Sequence, residues 1–331
     1  MRILITVALF FSVQLSLFAQ HETQLTTTKV DKARIEFLAN LVLQELPKHE
    51  KDSLNQLLIQ ELPFDDDLAT TFRTNFNEVK SISILTSPDS AFRIFNWEMA
   101  YLDGTNRYEC FIIKNIDGKL QYDHLQASDS TFDREKLINK QLGAKTWLPA
   151  LYYEIIPVKS RFQTFYTLLG WDGNDLLTNK KYIEVLWFDK TGKIHFGAPI
   201  FKDNRSIQSR VVFEYGGQNA MNLNYENELE RILFSHLAPP SSTLEGVYEY
   251  YGADVTFDAY EWKGKYWQFI SEVIPAWADP KGRTEVSVSK KAFNEKDAAN
   301  PNAASKVLKE AEKRKKIADD KLKEEKGTNT D

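Results

Sequence analysis

Apolar positions recur at helical spacing along residues 20–80. Ile35, Leu38, Val42 and Leu46 lie three or four apart, and Pro47 closes the run. Leu54, Leu57, Leu58 and Leu62 form a second stripe ahead of Pro63, and Ser53 with Gln56 three residues on has the form of a capping box. Asp66 or Asp67 is placed to cap a third helix carrying Leu68, Phe72, Phe76 and Val79. The stripes predict packing faces; a partner-binding helix is the alternative.

From about residue 81 the pattern changes period. Apolar runs become short, β-branched and aromatic, as at Tyr182 to Phe188, Val211 to Tyr215 and Val247 to Tyr251. Met221 to Tyr225 alternates strictly, as a half-buried strand does, and Val286 with Val288 repeats the alternation late. Three loops carry a Gly-Lys pair between such runs: Gly118-Lys119, Gly192-Lys193 and Gly264-Lys265. Glycine supplies the positive φ of a tight hairpin, so three hairpins are predicted. Gly192 follows Gly118 by 74 positions and Gly264 follows Gly192 by 72. The 74-residue shift also pairs Trp97 with Trp171, Leu102 with Leu176 and Tyr108 with Tyr182. Either an internal duplication or the ordinary recurrence of hairpins explains it. The expected fold is mainly β with a helical N-terminal region (α+β): an antiparallel, hairpin-built β domain over residues 81–289, arranged as a curved sheet, a sandwich or a short propeller-like array.

Both ends differ from this middle. Arg2, the apolar run from Ile3 to Phe11 and its extension to Phe18, and the small Ala19 before Gln20 have the form of a secretory signal peptide over residues 1–19. An uncleaved anchor is the competing reading, but the run is shorter than the roughly 20 apolar residues a span needs. Residues 290–331 read as a polar linker and a charged helical tail, with Glu310–Arg314, Glu312–Lys316 and Asp319–Lys323 as opposite charges four apart. The expected location is therefore outside the inner membrane, periplasmic or secreted, with no transmembrane segment in the mature chain.

The chain of 331 residues is 42% apolar and 13% aromatic, enough for a sizeable core, and its net charge of −5 offers no basic footprint for nucleic acid. The lone Cys110 cannot form an internal disulfide and, beside Phe111 and Ile112, reads as a buried thiol. Familiar catalytic signatures are absent: no G-x-S-x-G, H-E-x-x-H, Walker loop or C-x-x-C occurs. No cofactor and no metal is expected, and the histidines show no local zinc spacing.

Three features carry candidate chemistry. Trp171, Asp172, Asn174 and Asp175 set a ring beside oxygen ligands, a mix suited to a polyol; a core tryptophan followed by a turn is the competing reading. Tyr248, Tyr250, Tyr251, Tyr260, Trp262, Tyr266, Trp267 and Trp277 form an aromatic cluster, either a stacking platform or core. Lys159, Arg161, Lys202, Arg205 and Arg210 gather as an anion clamp or stay scattered as solvated charges. Arg161 joins the Trp171 loop in the candidate ligand set.

The run from Tyr152 to Asp175, and the later Phe188-Asp-Lys-Thr-Gly-Lys-Ile-His-Phe-Gly-Ala-Pro-Ile-Phe, resemble a group of uncharacterised exported proteins of Bacteroidota-type bacteria. The resemblance spans roughly residues 80–275 and implies export and β structure, but no activity. The expected function is a non-catalytic envelope or extracellular protein that binds a partner or glycan through its β domain. The alternative is an Asp/Glu-dependent hydrolase of an envelope or extracellular polymer.

Overall fold

A computed structural model describes residues 30–64, 67–127, 134–161, 163–203 and 206–278. The expected signal peptide, linker and charged tail, the Val286–Val288 strand and Arg205 lie outside the described residues. Three helices, α1 (Lys32–Leu43), α2 (Lys48–Glu61) and α3 (Leu68–Arg73), precede an antiparallel β region, so the fold is mainly β with a helical N-terminal part. No described helix is long and apolar enough to cross a membrane.

The first sheet is an up-and-down meander of β1 (Ser83–Thr86), β2 (Phe92–Ala100), β3 (Asn106–Ile116) and β4 (Lys119–His124). A short turn, α4 (Arg134–Leu137), leads to the second sheet. It is built from β5 (Leu142–Gly143), β6 (Leu151–Ser160), β7 (Gln163–Asp172), β8 (Thr178–Phe188) and β9 (Ile194–Phe196). One edge of β8 is shared: β9 takes its end, and β12 (Val211–Gly216) takes its start. The third sheet holds β13 (Leu223–Glu226), β14 (Arg231–Ala238), β15 (Gly252–Trp262) and β16 (Trp267–Ile270). Two short strands, β10 (Phe201–Lys202) and β11 (Ile207–Gln208), extend it, with β10 parallel to β16. Each Gly-Lys loop joins the third and fourth strands of a four-strand meander. Its glycine has φ near +80°: 81° at Gly118, 78° at Gly192 and 76° at Gly264. The 74- and 72-residue spacings thus mark equivalent hairpins in three successive sheets.

Strand alternation stacks these sheets. In β2 and β3, Phe92, Ile94, Tyr108, Cys110 and Ile112 point to the second sheet, while Phe95, Trp97, Met99, Phe111 and Ile113 meet the helices. In β7 and β8, Leu168, Tyr182 and Leu186 face the first sheet, and Leu169, Ile183 and Val185 face the third. The order is helices, first sheet, second sheet, third sheet. Both central sheets are covered on two faces, which explains their continuous apolar runs. Cys110 sits at 0% exposure inside the first interface. Its thiol is expected to resist labelling in the folded protein, and Cys110→Ala to cost on the order of 1 kcal/mol; rapid modification by a thiol reagent is the contrary result.

The helices depart from the sequence reading in instructive ways. α1 ends at Leu43, and Pro47 is the N-cap of α2 instead of a stop. Ser53 lies inside α2, where its hydroxyl donates back to the His49 carbonyl (2.8 Å), so no capping box forms. Asp67 caps α3 by accepting from the Thr70 amide at 2.9 Å, but the helix stops at Arg73. Phe76 and Val79 reach the core from a coil. On α2 the buried face carries Lys51 and Asn55 beside Leu58, while Leu57 is exposed. Those polar groups are buried because partners await them. Lys51 Nζ donates to the Ala100 carbonyl, and Asn55 bridges the Trp97 indole and the Glu109 carboxylate. Val247 to Tyr251 forms a 3₁₀ turn at Tyr248–Tyr250, not a strand.

Candidate functional site

Asp172 is the last residue of β7, one place beyond Trp171, so alternation sends their side chains to opposite faces of the second sheet. Trp171 is half-buried on the face toward the third sheet, with its indole near the Tyr215 hydroxyl. Asp172 turns toward the first sheet. Its Oδ1 accepts from Tyr108 at 2.9 Å and from the Asn174 amide at 2.9 Å, and its Oδ2 accepts from Tyr182 at 3.1 Å. Asp175 closes an Asx turn by accepting from the Leu177 and Thr178 amides, each at 2.8 Å, and Asn174 takes the Lys180 ammonium at 2.7 Å. The ring and the oxygen atoms of this segment therefore do not share one surface. Arg161 sits in the β6–β7 turn at the far end of β7, roughly 30 Å of strand away at about 3.3 Å per residue.

What gathers around Asp172 instead is a carboxylate pair. Glu98 on β2 lies directly opposite Tyr108 on β3, and its Oε1 is 2.9 Å from the Tyr108 oxygen. Tyr108 thus stands between Glu98 and Asp172, bonded to both, and also accepts from the Gly173 amide at 2.8 Å. A Cβ at Gly173 would come within 2.7 Å of the Asn106 amide and 3.1 Å of Glu98, so a larger residue there has to displace the Asn106 side chain. Burial pushes the Glu98 carboxyl up, and the neighbouring Asp172 charge adds to it. Burial likewise raises the Tyr108 phenol and lowers the Lys51 ammonium. Perturbed groups cluster at functional sites and in structural networks alike. Sequence reasoning singled out Asp172 and missed Glu98 and Lys51. The 74-residue register held a clue, since its matched pair Tyr108 and Tyr182 both donate to Asp172.

Three histidine–carboxylate pairs lie one to a sheet. His124 Nε2 meets the buried Glu109 at 2.6 Å, His195 Nε2 meets Asp189 at 3.0 Å, and His236 Nδ1 meets the buried Asp258 at 2.8 Å. Burial acts to raise Glu109, but the His124 bond and the Arg107 charge outweigh it and hold the carboxyl low. The Asp258 bond raises His236, against an opposing effect of its burial. These pairs are not brought together: among the described residues no three His, Cys, Asp or Glu side chains are placed to share a metal ion.

The remaining candidates divide between core and surface. Arg210 is fully buried against Glu184 and so takes no part in an anion clamp, whereas Lys159, Arg161 and Lys202 are exposed. Of the aromatic cluster, Tyr260 and Trp267 are core, and Tyr251 and Trp262 pack on it. Trp277 is 74% exposed and lies edge-on to Phe257 at 6.1 Å, with Val255 of the same strand 85% exposed. A shallow concavity between α3 and the β3–β4 hairpin is lined by Leu68, Phe72, Arg73 and Leu120 and holds no carboxylate pair. Compared with protein-family models, curated proteins and solved structures, the chain shows no significant match to any of them.

Proposed function

We propose that this protein is an exported binding protein of the cell envelope or extracellular space, taking a protein partner or a glycan through its β domain. The observation that carries this reading is how the carboxylate pair Glu98 and Asp172 is used. Hydrolysis of a glycosidic bond needs two carboxyl groups flanking an open space that the substrate enters. Between Glu98 and Asp172 that space is filled by the Tyr108 phenol, which bonds both. The hydrolase alternative thus loses its best-placed pair. The exposed Val255 and Trp277, with Phe257 beside them, give the third sheet an apolar and aromatic surface of the kind that stacks on sugar rings or peptide side chains.

Export rests on the pattern of residues 1–19, and the likeness to exported Bacteroidota-type proteins accords with it. The test uses material recovered from outside the cytoplasm, whose N-terminus is expected at Gln20 by mass spectrometry. Trp277→Ala is expected to leave the melting temperature within a degree or two, as for a surface change, and to weaken retention on envelope polysaccharide or on an envelope-protein fraction at least tenfold. Unchanged retention on both would remove this surface from the proposal, and hydrolysis of the polymer by the parent protein would reinstate the enzyme.

A further inference from the structure

The Tyr108 hydroxyl has one proton and three hydrogen-bond neighbours. The Gly173 amide can only donate to it. Glu98 Oε1 and Asp172 Oδ1 both lie 2.9 Å away, and a single phenol proton cannot serve two carboxylates. The count closes if one of the two carboxyls carries a second proton. Asp172 already accepts from Tyr182 and from the Asn174 amide, which makes it the acceptor for the Tyr108 proton. Glu98, whose only hydrogen bond among the described contacts is to Tyr108, then has to be the carboxylic acid that donates to the phenol oxygen. With that arrangement Tyr108 donates once and accepts twice, its full capacity.

We propose that Glu98 holds a proton in the folded protein, and that the chain Glu98–Tyr108–Asp172 latches the β7–β8 loop, residues 173–177, onto the first sheet, releasing it as pH rises. Lys180 bonds Asn174 at 2.7 Å and the Gly217 amide bonds the Leu177 carbonyl at 2.7 Å, which tie the loop to its own sheet, while few other groups hold it to the first sheet. Leu176 packs over Gly104 in the β2–β3 turn, where an added Cβ would fall 2.4 Å from its side chain, and Gly173 lies against Asn106 and Glu98. Leu176 itself is 39% exposed. The charged and titratable groups facing Glu98 are Lys51 from α2, Tyr108 from β3 and Asp172 from β7. Lys51 favours the ionised form, but it makes no ion pair with Glu98 and spends its hydrogen bond on the Ala100 carbonyl. Burial and Asp172 act the other way and raise the acid.

The sign follows from linkage. A carboxyl raised on docking gives its full stabilisation below the ordinary carboxylate range. Between that range and its raised value the latch weakens about tenfold per pH unit, and above it the contribution is gone. Carboxyl-detected NMR of the whole protein measures the Glu98 titration directly. Hydrogen exchange, corrected for its intrinsic pH dependence, reads the Gly173 and Asn174 amides. Expected are a Glu98 titration above the ordinary range and protection at those two amides that falls about tenfold per pH unit across that window. Glu98→Gln, whose amide can donate to Tyr108 as the acid does, is expected to keep the protection and flatten its pH dependence. A Glu98 titration within the ordinary range, or the same pH-dependent loss in the Gln variant as in the parent, overturns the proposal. If the variant does not fold, the parent's titration and exchange decide alone.

Discussion

Replacing Arg210 by methionine is expected to lower the free energy of unfolding by about 3–5 kcal/mol, the range for breaking a buried ion pair. The pair is wholly internal. Arg210 is at 0% side-chain exposure and Glu184 at 2%, with Nε to Oε2 at 2.7 Å. Register puts them together: β12 runs antiparallel to β8 with Val211 opposite Ile183, so the residue before β12 meets the one after Ile183. The same guanidinium donates to the Leu137 and Lys140 carbonyls, and the Ser209 and Arg210 amides both donate to Ile138. Arg210 therefore also ties the segment after α4 to the second sheet. Its removal leaves a buried carboxylate that burial already pushes toward protonation; the guanidinium opposes this most, helped by the Val185 and Gly197 backbone amides. Two carbonyls lose a donor as well. Urea unfolding should show a lower midpoint with an unchanged slope. Adding Glu184→Leu should recover most of the loss, because removing the second charge also removes its desolvation. A single variant within about 0.5 kcal/mol of the parent, the usual range of a surface change, would mean that the pair is solvated in solution.

The period of the apolar pattern carried most of the architecture. The change from helical to strand spacing falls where β1 begins at Ser83, and the Gly-Lys loops mark one hairpin in each sheet. Less legible were the places where polar side chains go inside. Lys51 and Asn55 break the apolar stripe of α2 yet form its buried face, because their partners lie on β2 and β3, far away in sequence. Arg210 reads as surface charge until β8 supplies Glu184. The Trp171 segment was obscured for a different reason. Treating residues 171–175 as one loop hides the fact that β7 runs on through Asp172. The strand's two-residue period then separates the ring from the carboxylate. Glu98, which Asp172 meets through Tyr108, is 74 residues upstream, and the 74-residue register that matches Trp97 with Trp171 also sets Glu98 against Asp172.

Trp267→Ala is expected to destabilise the protein by about 3–5 kcal/mol, the range for emptying a buried aromatic site. Trp267 is at 0% exposure between the second and third sheets, edge-on to Trp262 at 5.5 Å and near Tyr225 at 6.5 Å. Its indole N–H donates to Thr167 Oγ1 on β7 at 2.9 Å, across 100 residues of chain. Its backbone amide donates to the Ile200 carbonyl at 2.7 Å, just ahead of β10. One residue thus fills the core and hydrogen-bonds across both of its sides. The two contributions separate by a cycle. Trp267→Phe keeps a ring but leaves the Thr167 hydroxyl without its donor, and Thr167→Val removes that hydroxyl in turn. The hydrogen bond should appear as a coupling of about 0.5–1.5 kcal/mol, small beside the loss on going to alanine. The larger loss should also show locally: exchange protection in β15 and β16 should fall further than in β2 and β3, whose core lies on the other side of the second sheet. A uniform fall in protection across all three sheets would mean that they unfold as one unit and that Trp267 supports the whole stack.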